Sequence, residues 1–455
     1  MDFLEGQKLI KEKNFSKALD IFVALEKNNY KDDRILFYLG LLYFEFNDFD
    51  KSLYYYENFI KKNPNITGAL LNLAIVKQTI GDLDSAKKIY LKLIQHNKNN
   101  IRAYYGLYLL DSNNFPFKYF SILSDLNRKN KFGLYEIAII NFLLSKREKV
   151  KKNIKKETKY LDKFHVSIFK NNLLYNNSSQ FYYDKIINNH FDKIKISNKN
   201  RINFENKKLN PIFIIGLPRS GSTVIDSILT SSSEKVNSYG ECHIINMSVL
   251  NEVSQKIYSK NFQEDNFEFK IDLEKFNENV VNQYSNFTSF KNKKVSKFVD
   301  KSLENFYNIE LIYNIFPNAK FLHTYRNISD SIISIYQSML PDLSWAHSID
   351  NILKYIDNYL KVLDYYKQKY PNLIFDINLE HFTSNTEKVT KQIFEFCDLN
   401  WEKKILDFYK RKNLFSKTLS FSQIRSKVEK YNINKYKPYY YLFDNFLNDY
   451  KWLKK

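Results

Sequence analysis

The first hundred residues set small and aromatic positions in a fixed register. Ala18, Ser52 and Ala86 stand 34 positions apart, and the aromatic residues Phe22, Tyr56 and Tyr90 keep the same interval. Gly6, Gly40 and Ala74 fall in that register too. Apolar residues recur between them at helical spacing, so each period predicts two helices joined by a short turn, at Asn14, Asn47/Asp48 or Gly81/Asp82. The small residue lets the second helix approach the first closely, and neighbouring hairpins stack into a solenoid. From Asn100 to about Leu144 the helical pattern continues while the register fades, as a degenerate repeat or as capping helices. The run KREKVKKNIKKETK, from Lys146 to Lys159, reads as a solvated helix face, with a basic binding patch as the alternative. Helical spacing persists after Tyr160 and gives way to the polar stretch SNKNRINFENKKLN, which marks a domain boundary.

Beyond that stretch the pattern changes. Short β-type apolar runs at Ile212 to Ile215, Lys235 to Tyr239, Ser296 to Val299 and Lys320 to Tyr325 alternate with turns and helical segments. Such alternation predicts an α/β layer with a mainly parallel sheet of about five strands and right-handed crossovers. The expected fold is therefore α + α/β, with a repeat solenoid over 1–145, a helical connector and linker over 146–206, and an α/β domain over 207–455.

Within the repeats, Leu36, Leu39, Gly40, Tyr43, Ser52, Tyr56 and Pro64 occupy the positions at which tetratricopeptide (TPR) repeats carry their pattern. About three repeats share this resemblance, which implies a groove able to take a peptide or a protein partner.

Composition changes the picture in three respects. At 455 residues the chain exceeds one core, and 44% hydrophobic with 17% aromatic residues exclude a disordered polymer. Seventy Lys and Arg against fifty Asp and Glu give a net charge of +20, able to attract nucleic acid, anionic lipid or an anionic substrate. No nucleic-acid motif accompanies the charge, so an anionic substrate on a lysine-rich background is the reading retained. Cys242 and Cys397 belong to no CxxC or Cys/His cluster, and neither a disulfide framework nor a metal site is expected. MDFLEGQKLIKEK is not a signal peptide and no apolar run spans a membrane, so a cytoplasmic location is expected.

Candidate chemistry centres on GLPRSGST, Gly216 to Thr223, set between the run Ile212 to Ile215 and the amphipathic VIDSILTSS. Strand, glycine turn and helix place backbone N–H groups and a helix N-terminus around an anion. The spacing is that of the Walker A motif, except that Ser222 stands at the lysine position. A kinase or ATPase needs that lysine on its β- and γ-phosphates. A loop without it suits a shorter, metal-free anion, and Arg219 supplies charge from another direction. Further on, Arg326 ends a strand and Ser334 lies about a turn into the following helix, N-capped at Ser329 after a turn at Asn327, so both can converge on one anion.

GLPRSGST followed by a helix resembles the 5'-phosphosulfate loop of sulfotransferases, above all the TPR-containing bacterial ones and the tyrosylprotein sulfotransferases. The resemblance runs from about 209 to 436. It implies 3'-phosphoadenosine 5'-phosphosulfate (PAPS) as sulfuryl donor, 3'-phosphoadenosine 5'-phosphate (PAP) as product, and no metal. Donor-binding roles then fall to Pro218, Arg219, Ser220, Gly221, Ser222 and Thr223 in the loop, to Arg326 and Ser334 at the 3'-phosphate, and to Ser420, Arg425 and Lys435 near the C-terminus, where SFSQIR matches an S-x-x-Q-[VI] element. Glu241 of the Gly-Glu pair is implied as the base that takes the acceptor proton, with His243 or His323 as substitutes. Lys301 of the Asp-Lys pair is implied as the cation on the leaving group, and Arg219 joins these two as a catalytic group.

One position departs from the pattern. Where the family carries an aromatic before an acidic residue, able to touch adenine, this chain has Leu379 before Glu380. The acceptor stays open among a protein tyrosine, a saccharide and a small-molecule hydroxyl. Two further readings compete: a TPR scaffold that retains nucleotide binding without catalysis, and a P-loop kinase.

Overall fold

The computed structural model describes residues 2–129, 131–197, 209–257, 269–285, 297–411, 414–417, 421 and 423–454. The chain forms two compact units. The first comprises Met1–Tyr119 with two segments from later in the chain, Asn282–Lys294 and Lys412–Ser422; the second holds Phe120–Val281, Val295–Arg411 and Gln423–Lys455. By packing, the second unit thus begins at Phe120, while boundaries at 145 and 206 stand as a proposal about domains.

The first unit is a series of helical hairpins. Phe3–Lys11 pairs with Phe15–Lys27, Arg34–Glu45 with Phe49–Lys62, and Thr67–Ile80 with Leu83–His96, followed by Ile101–Leu110. The turns repeat as the residues do: Lys13, Asn47 and Gly81 adopt left-handed backbone at φ 58°, 58° and 93°. The Asp48 and Asp82 carboxylates that follow accept from the backbone N–H groups of Lys51 and Ser85, satisfying donors that a helix start leaves open. Ala18, Ser52 and Ala86 are fully buried, and the Ser52 hydroxyl donates to the Gly40 carbonyl at 2.7 Å. A Cβ on Gly40 would stand 3.0 Å from the Tyr56 ring, so the repeated pair of glycine and aromatic sets the spacing between the two helices.

In the second unit, Leu134–Val150 and Ile154–Asn171 form a long hairpin turned at Lys152, φ 55°. The solvated face expected between Lys146 and Lys159 is in part a buried one: Lys146, Glu148, Glu157 and Thr158 are all enclosed. Each charge finds a partner there. The Lys146 ammonium donates to the Gln337 carbonyl at 2.6 Å, and Glu157 accepts from the Tyr439 hydroxyl at 2.6 Å. Charge alone could not reveal this, because the hydrogen-bond partners of these groups lie about 190 and 280 residues away in sequence.

The strands follow in chain order: β1 (Lys195–Ser197), β2 (Asn210–Gly216), β3 (Asn237–Ser238), β4 (Lys270–Asp272), β5 (Lys297–Asp300), β6 (Lys320–Tyr325) and β7 (Ile374–Asn378). β1 and β4 pair by themselves, and the main sheet has the order β3-β5-β2-β6-β7 with every pair parallel. A parallel sheet brings all strand C-termini to one edge. The β2 run, NPIFIIG, is buried at six of its seven positions, as a strand covered on both faces must be. Ile212, Ile214, Val299, Leu322 and Ile377 share one core with Ile225, Ile228 and Leu229 of the helix Ser222–Leu229. Two details differ from the sequence reading. β3 is two residues long, and the helix Ile328–Tyr336 is capped by Asn327, whose side chain accepts from the Asp330 N–H, instead of by Ser329. Among the described residues no helix is long and apolar enough to cross a membrane.

Candidate active site

The C-terminal edge of the main sheet gathers the ends of β2, β3, β5, β6 and β7, and the loop after β2 lies at its centre. Gly216 closes β2 at φ 138°, and a Cβ there would stand 2.3 Å from the Thr324 carbonyl oxygen of β6. Arg219 and Gly221 also take left-handed backbone, at φ 69° and 88°. A non-glycine residue in that region is held by its surroundings, and here the hold comes from Ser220. Its buried hydroxyl donates to the Leu217 carbonyl at 2.7 Å and shares a 2.8 Å hydrogen bond with Thr324. Gly221 precedes the helix Ser222–Leu229, with Ser222 and Thr223 buried in its first turn. Pro218 and Arg219 are half-buried. The loop has the αL bends and open helix start of an anion cradle.

Beside it, the turns after β3 and β5 meet. The Lys301 N–H donates to the Gly240 carbonyl at 2.9 Å, and the fully buried Lys301 ammonium lies 2.5 Å from the half-exposed Glu241 carboxylate. Asp226, on the helix after the loop, accepts from the Ser238 hydroxyl at 3.0 Å, and that hydroxyl also accepts from the Gly240 N–H. Burial drives the Asp226 carboxyl up to about 6, against Lys301 and the Ser238 hydrogen bond, with Glu241 adding to the rise. Nothing in the sequence singles out Asp226; it stands four residues past Ser222, one turn into the helix, where a periodic reading sees only the polar face.

His243 follows Glu241 with φ 52°, and its ring donates to Glu304 at 2.6 Å while its N–H donates to the Ser302 hydroxyl at 2.8 Å. Burial opposes protonation of this imidazole, but the charge and hydrogen bond of Glu304, with Glu241 and Asp300, lift it to about 9. The Glu304 pairing thus favours the protonated imidazole, which makes His243 a poorer base than Glu241. His323 lies within β6, buried, hydrogen bonded to Asp376 at 2.6 Å and to the Tyr359 hydroxyl; it is a sheet residue.

A second basic locus forms at the end of β6. Arg326 is buried, donates to the Asp330 carbonyl at 3.0 Å and to the Tyr431 hydroxyl at 3.3 Å, and lies 5.3 Å from the centre of the Tyr436 ring. The Tyr436 hydroxyl donates to Ser334 at 3.2 Å, so one phenol joins Arg326 and Ser334, and Lys435 lies 5.3 Å from the same ring. Burial resists ionisation of this phenol, yet Lys435, Arg326, the Ser334 hydrogen bond and Lys149 bring it down to about 8. Arg425 is half-buried in the turn Gln423–Arg425, which packs beside the helix Ser222–Leu229. Ser420 lies outside the described residues. Leu379 approaches the loop: a Cβ on Gly221 would come within 2.7 Å of its side chain. Glu380 accepts the Asn327 N–H at 2.8 Å and so braces the turn behind Arg326.

Residues 211–403 match the model of the Sulfotransferase family, and residues 34–65 match a tetratricopeptide repeat. Residues 211–403 are thus similar to the sulfotransferase family, and they follow helical repeats similar to TPR repeats. The matched sulfotransferase region runs from β2 through β7 and contains the loop, the Glu241–Lys301 contact, Arg326 and Ser334. Among relatives, an uncharacterized protein of Aquifex aeolicus (strain VF5) is 28% identical over 238 residues, covering 50% of this chain and 30% of its own length. The uncharacterized protein ycf37 of Pyropia yezoensis is 36% identical over 104 residues, 21% of this chain and 58% of its own length. The chain thus spans about a third and somewhat over half of these two relatives. A solved sulfotransferase domain from the olefin synthase of Synechococcus PCC 7002 is 16% identical, with a TM-score of 0.33, over 51% of this chain and 88% of that one.

Proposed function

We propose that the chain transfers a sulfuryl group from PAPS to a hydroxyl acceptor in the cytoplasm, with its TPR groove binding the acceptor or a protein partner. The observation that carries this reading is the 2.5 Å contact of Glu241 with the buried Lys301 at the same sheet edge as the anion loop. A carboxylate and a cation so placed have complementary tasks. Glu241 takes the proton as the acceptor oxygen bonds to sulfur, and Lys301 offsets charge on the bridging oxygen as its bond to sulfur breaks and PAP departs. Backbone N–H groups of Arg219–Thr223 and the Arg219 side chain hold the phosphosulfate, with Pro218 fixing the backbone at the start of the loop. Arg326, Ser334 and Lys435 hold the 3'-phosphate, and Arg425 and Ser420 take the donor-binding roles that the SFSQIR match implies. The space a Cβ would take at Gly216 and Gly221 is already filled by Thr324 and Leu379, which fits a backbone cradle that meets its ligand through N–H groups. The acceptor class, whether protein tyrosine, saccharide or small-molecule hydroxyl, is what the TPR groove would select.

Calorimetry with PAP in the absence of magnesium tests the donor site, with ATP as competitor and Arg326→Ala as control. Binding that needs no magnesium, resists ATP and weakens in the variant supports the reading. Absence of PAP binding overturns it and leaves a TPR scaffold.

A further inference from the structure

The hairpin Leu134–Val150 and Ile154–Asn171 lies outside the region that matches the sulfotransferase family, yet it reaches the helix that carries Ser334. Gln337 stands one helical turn beyond Ser334 and so on the same face. The Lys149 ammonium donates to its side-chain oxygen at 2.5 Å, and Lys146 donates to its carbonyl at 2.6 Å. Lys149 also lies 5.8 Å from the centre of the Tyr439 ring. Tyr436, three residues earlier, carries the hydroxyl that meets Ser334 and is flanked by Arg326 and Lys435.

Electrostatics tie these groups into one cluster. Lys149 acts on the Tyr436 hydroxyl in the same sense as Lys435 and Arg326. Burial pushes the Lys146 ammonium down, and the charges of Lys149, Arg219 and Lys435 add to this against the pull of Glu157. Glu157 is in turn held by the Tyr439 hydroxyl. Three cations, Lys435, Arg326 and Lys149, act on one phenol, and the single carboxylate that offsets Lys146 and Lys149 is Glu157, so positive charge stays in excess and favours an added anion. A phenol is a weak acid, and a phosphate dianion satisfies the same donors far better.

We propose that Lys149 is a further binding residue for the 3'-phosphate of the donor, contributed by the hairpin, and that Lys146 is a positioning residue that fixes Gln337 and with it the approach of Lys149 to Ser334 and Arg326. The inference rests on the PAPS reading above and extends the donor site to an element outside the family match. It gives the basic run from Lys146 a function: the site distinguishes a nucleotide with a 3'-phosphate from one with a 3'-hydroxyl.

The test compares PAP with adenosine 5'-monophosphate, which lacks the 3'-phosphate, by calorimetry on the full chain without magnesium. In the wild type PAP binds more tightly. Lys149→Gln weakens PAP by about tenfold and leaves the monophosphate within about twofold, while Lys149→Arg keeps most of the preference. Lys146→Met lowers the ratio of the two affinities without lowering the melting temperature, because an apolar side chain replaces a buried ammonium; a merely structural role would lower the melting temperature and spare the ratio. If the wild type prefers PAP and Lys149→Gln leaves that preference intact, the inference falls and the donor reading stands. If the wild type shows no preference for PAP, both fall.

Discussion

Lys301 is buried to 1% exposure and its ammonium rests on Glu241, so this pair must survive proton transfer. When Glu241 accepts a proton, Lys301 loses its countercharge, and Asp226 is the nearby carboxyl whose ionisation already responds to both. Glu241→Gln should therefore lower the turnover of sulfuryl transfer by roughly 100- to 10,000-fold while PAP binding persists, measured by single-turnover kinetics and calorimetry. Unchanged turnover would assign the proton to another group. Asp226 and His243 predict opposite pH dependences. The folded Asp226 carboxyl titrates above its ordinary value, so its cost to stability is absent below about pH 4, grows as pH rises through 6 and is complete above it. Asp226→Asn should raise the melting temperature at pH 8 by a few degrees, on the order of 3 °C, and leave it unchanged at pH 3.5. The folded His243 imidazole is raised as well, but for a base the contribution is stabilising, fully present below about pH 6.5 and lost as pH rises through 9. Melting curves of His243→Asn against wild type should differ at pH 6 and converge above pH 9.5.

At the scale of elements, the loop depends on the register between β2 and β6. Gly216 pairs with Thr324, and the missing Cβ lets the two backbones approach. Gly216→Ala should cost about 3 kcal/mol or more in urea denaturation, through contact with the Thr324 carbonyl and the left-handed backbone together. A cost below about 1 kcal/mol would mean that the strand end shifts freely. These parts were legible in the sequence because they are local: loop, strand and helix fall within about twenty residues, and Arg326 and Ser334 sit eight apart. The TPR turns were legible for the same reason, since the turn at Lys13, Asn47 and Gly81 recurs with the period. Tyr436, Lys149 and Asp226 were not. Tyr436 and Lys149 come to Ser334 and Gln337 from 102 and 188 residues away in sequence, and no local period encodes that meeting. The two-residue β3 is short for a related reason: the Tyr239 N–H gives the last ladder bond, to the Val299 carbonyl of β5, and Gly240 at φ 64° then turns the chain away.

At the scale of the whole molecule, the two units are interleaved along the chain, because Lys412–Ser422 belongs to the repeat unit while its flanks belong to the other. Its contacts within the repeat unit are specific. Phe415 packs on Phe49 with ring centres 5.0 Å apart, the Ser416 N–H donates to the Thr79 carbonyl at 3.2 Å, and the Lys417 ammonium donates to the Glu45 carbonyl at 3.0 Å. Leu414 and Phe421 are buried. Four residues after Phe421 comes Arg425, and soon after it Tyr431, Lys435 and Tyr436, the residues around Arg326 and Ser334. A chain truncated to 120–455 would therefore keep every motif of the sulfotransferase domain and lose the partners of the segment that leads into its last motif. Such a truncation should be cut by trypsin at Lys417 many times faster than the full chain, and its PAP affinity should fall although no donor-binding residue has been removed. Equal proteolysis and equal affinity in the two proteins would show that the repeats merely adjoin the donor site in sequence. The contrary result would make the anchoring of Phe415, Ser416 and Lys417 a contributor to donor binding.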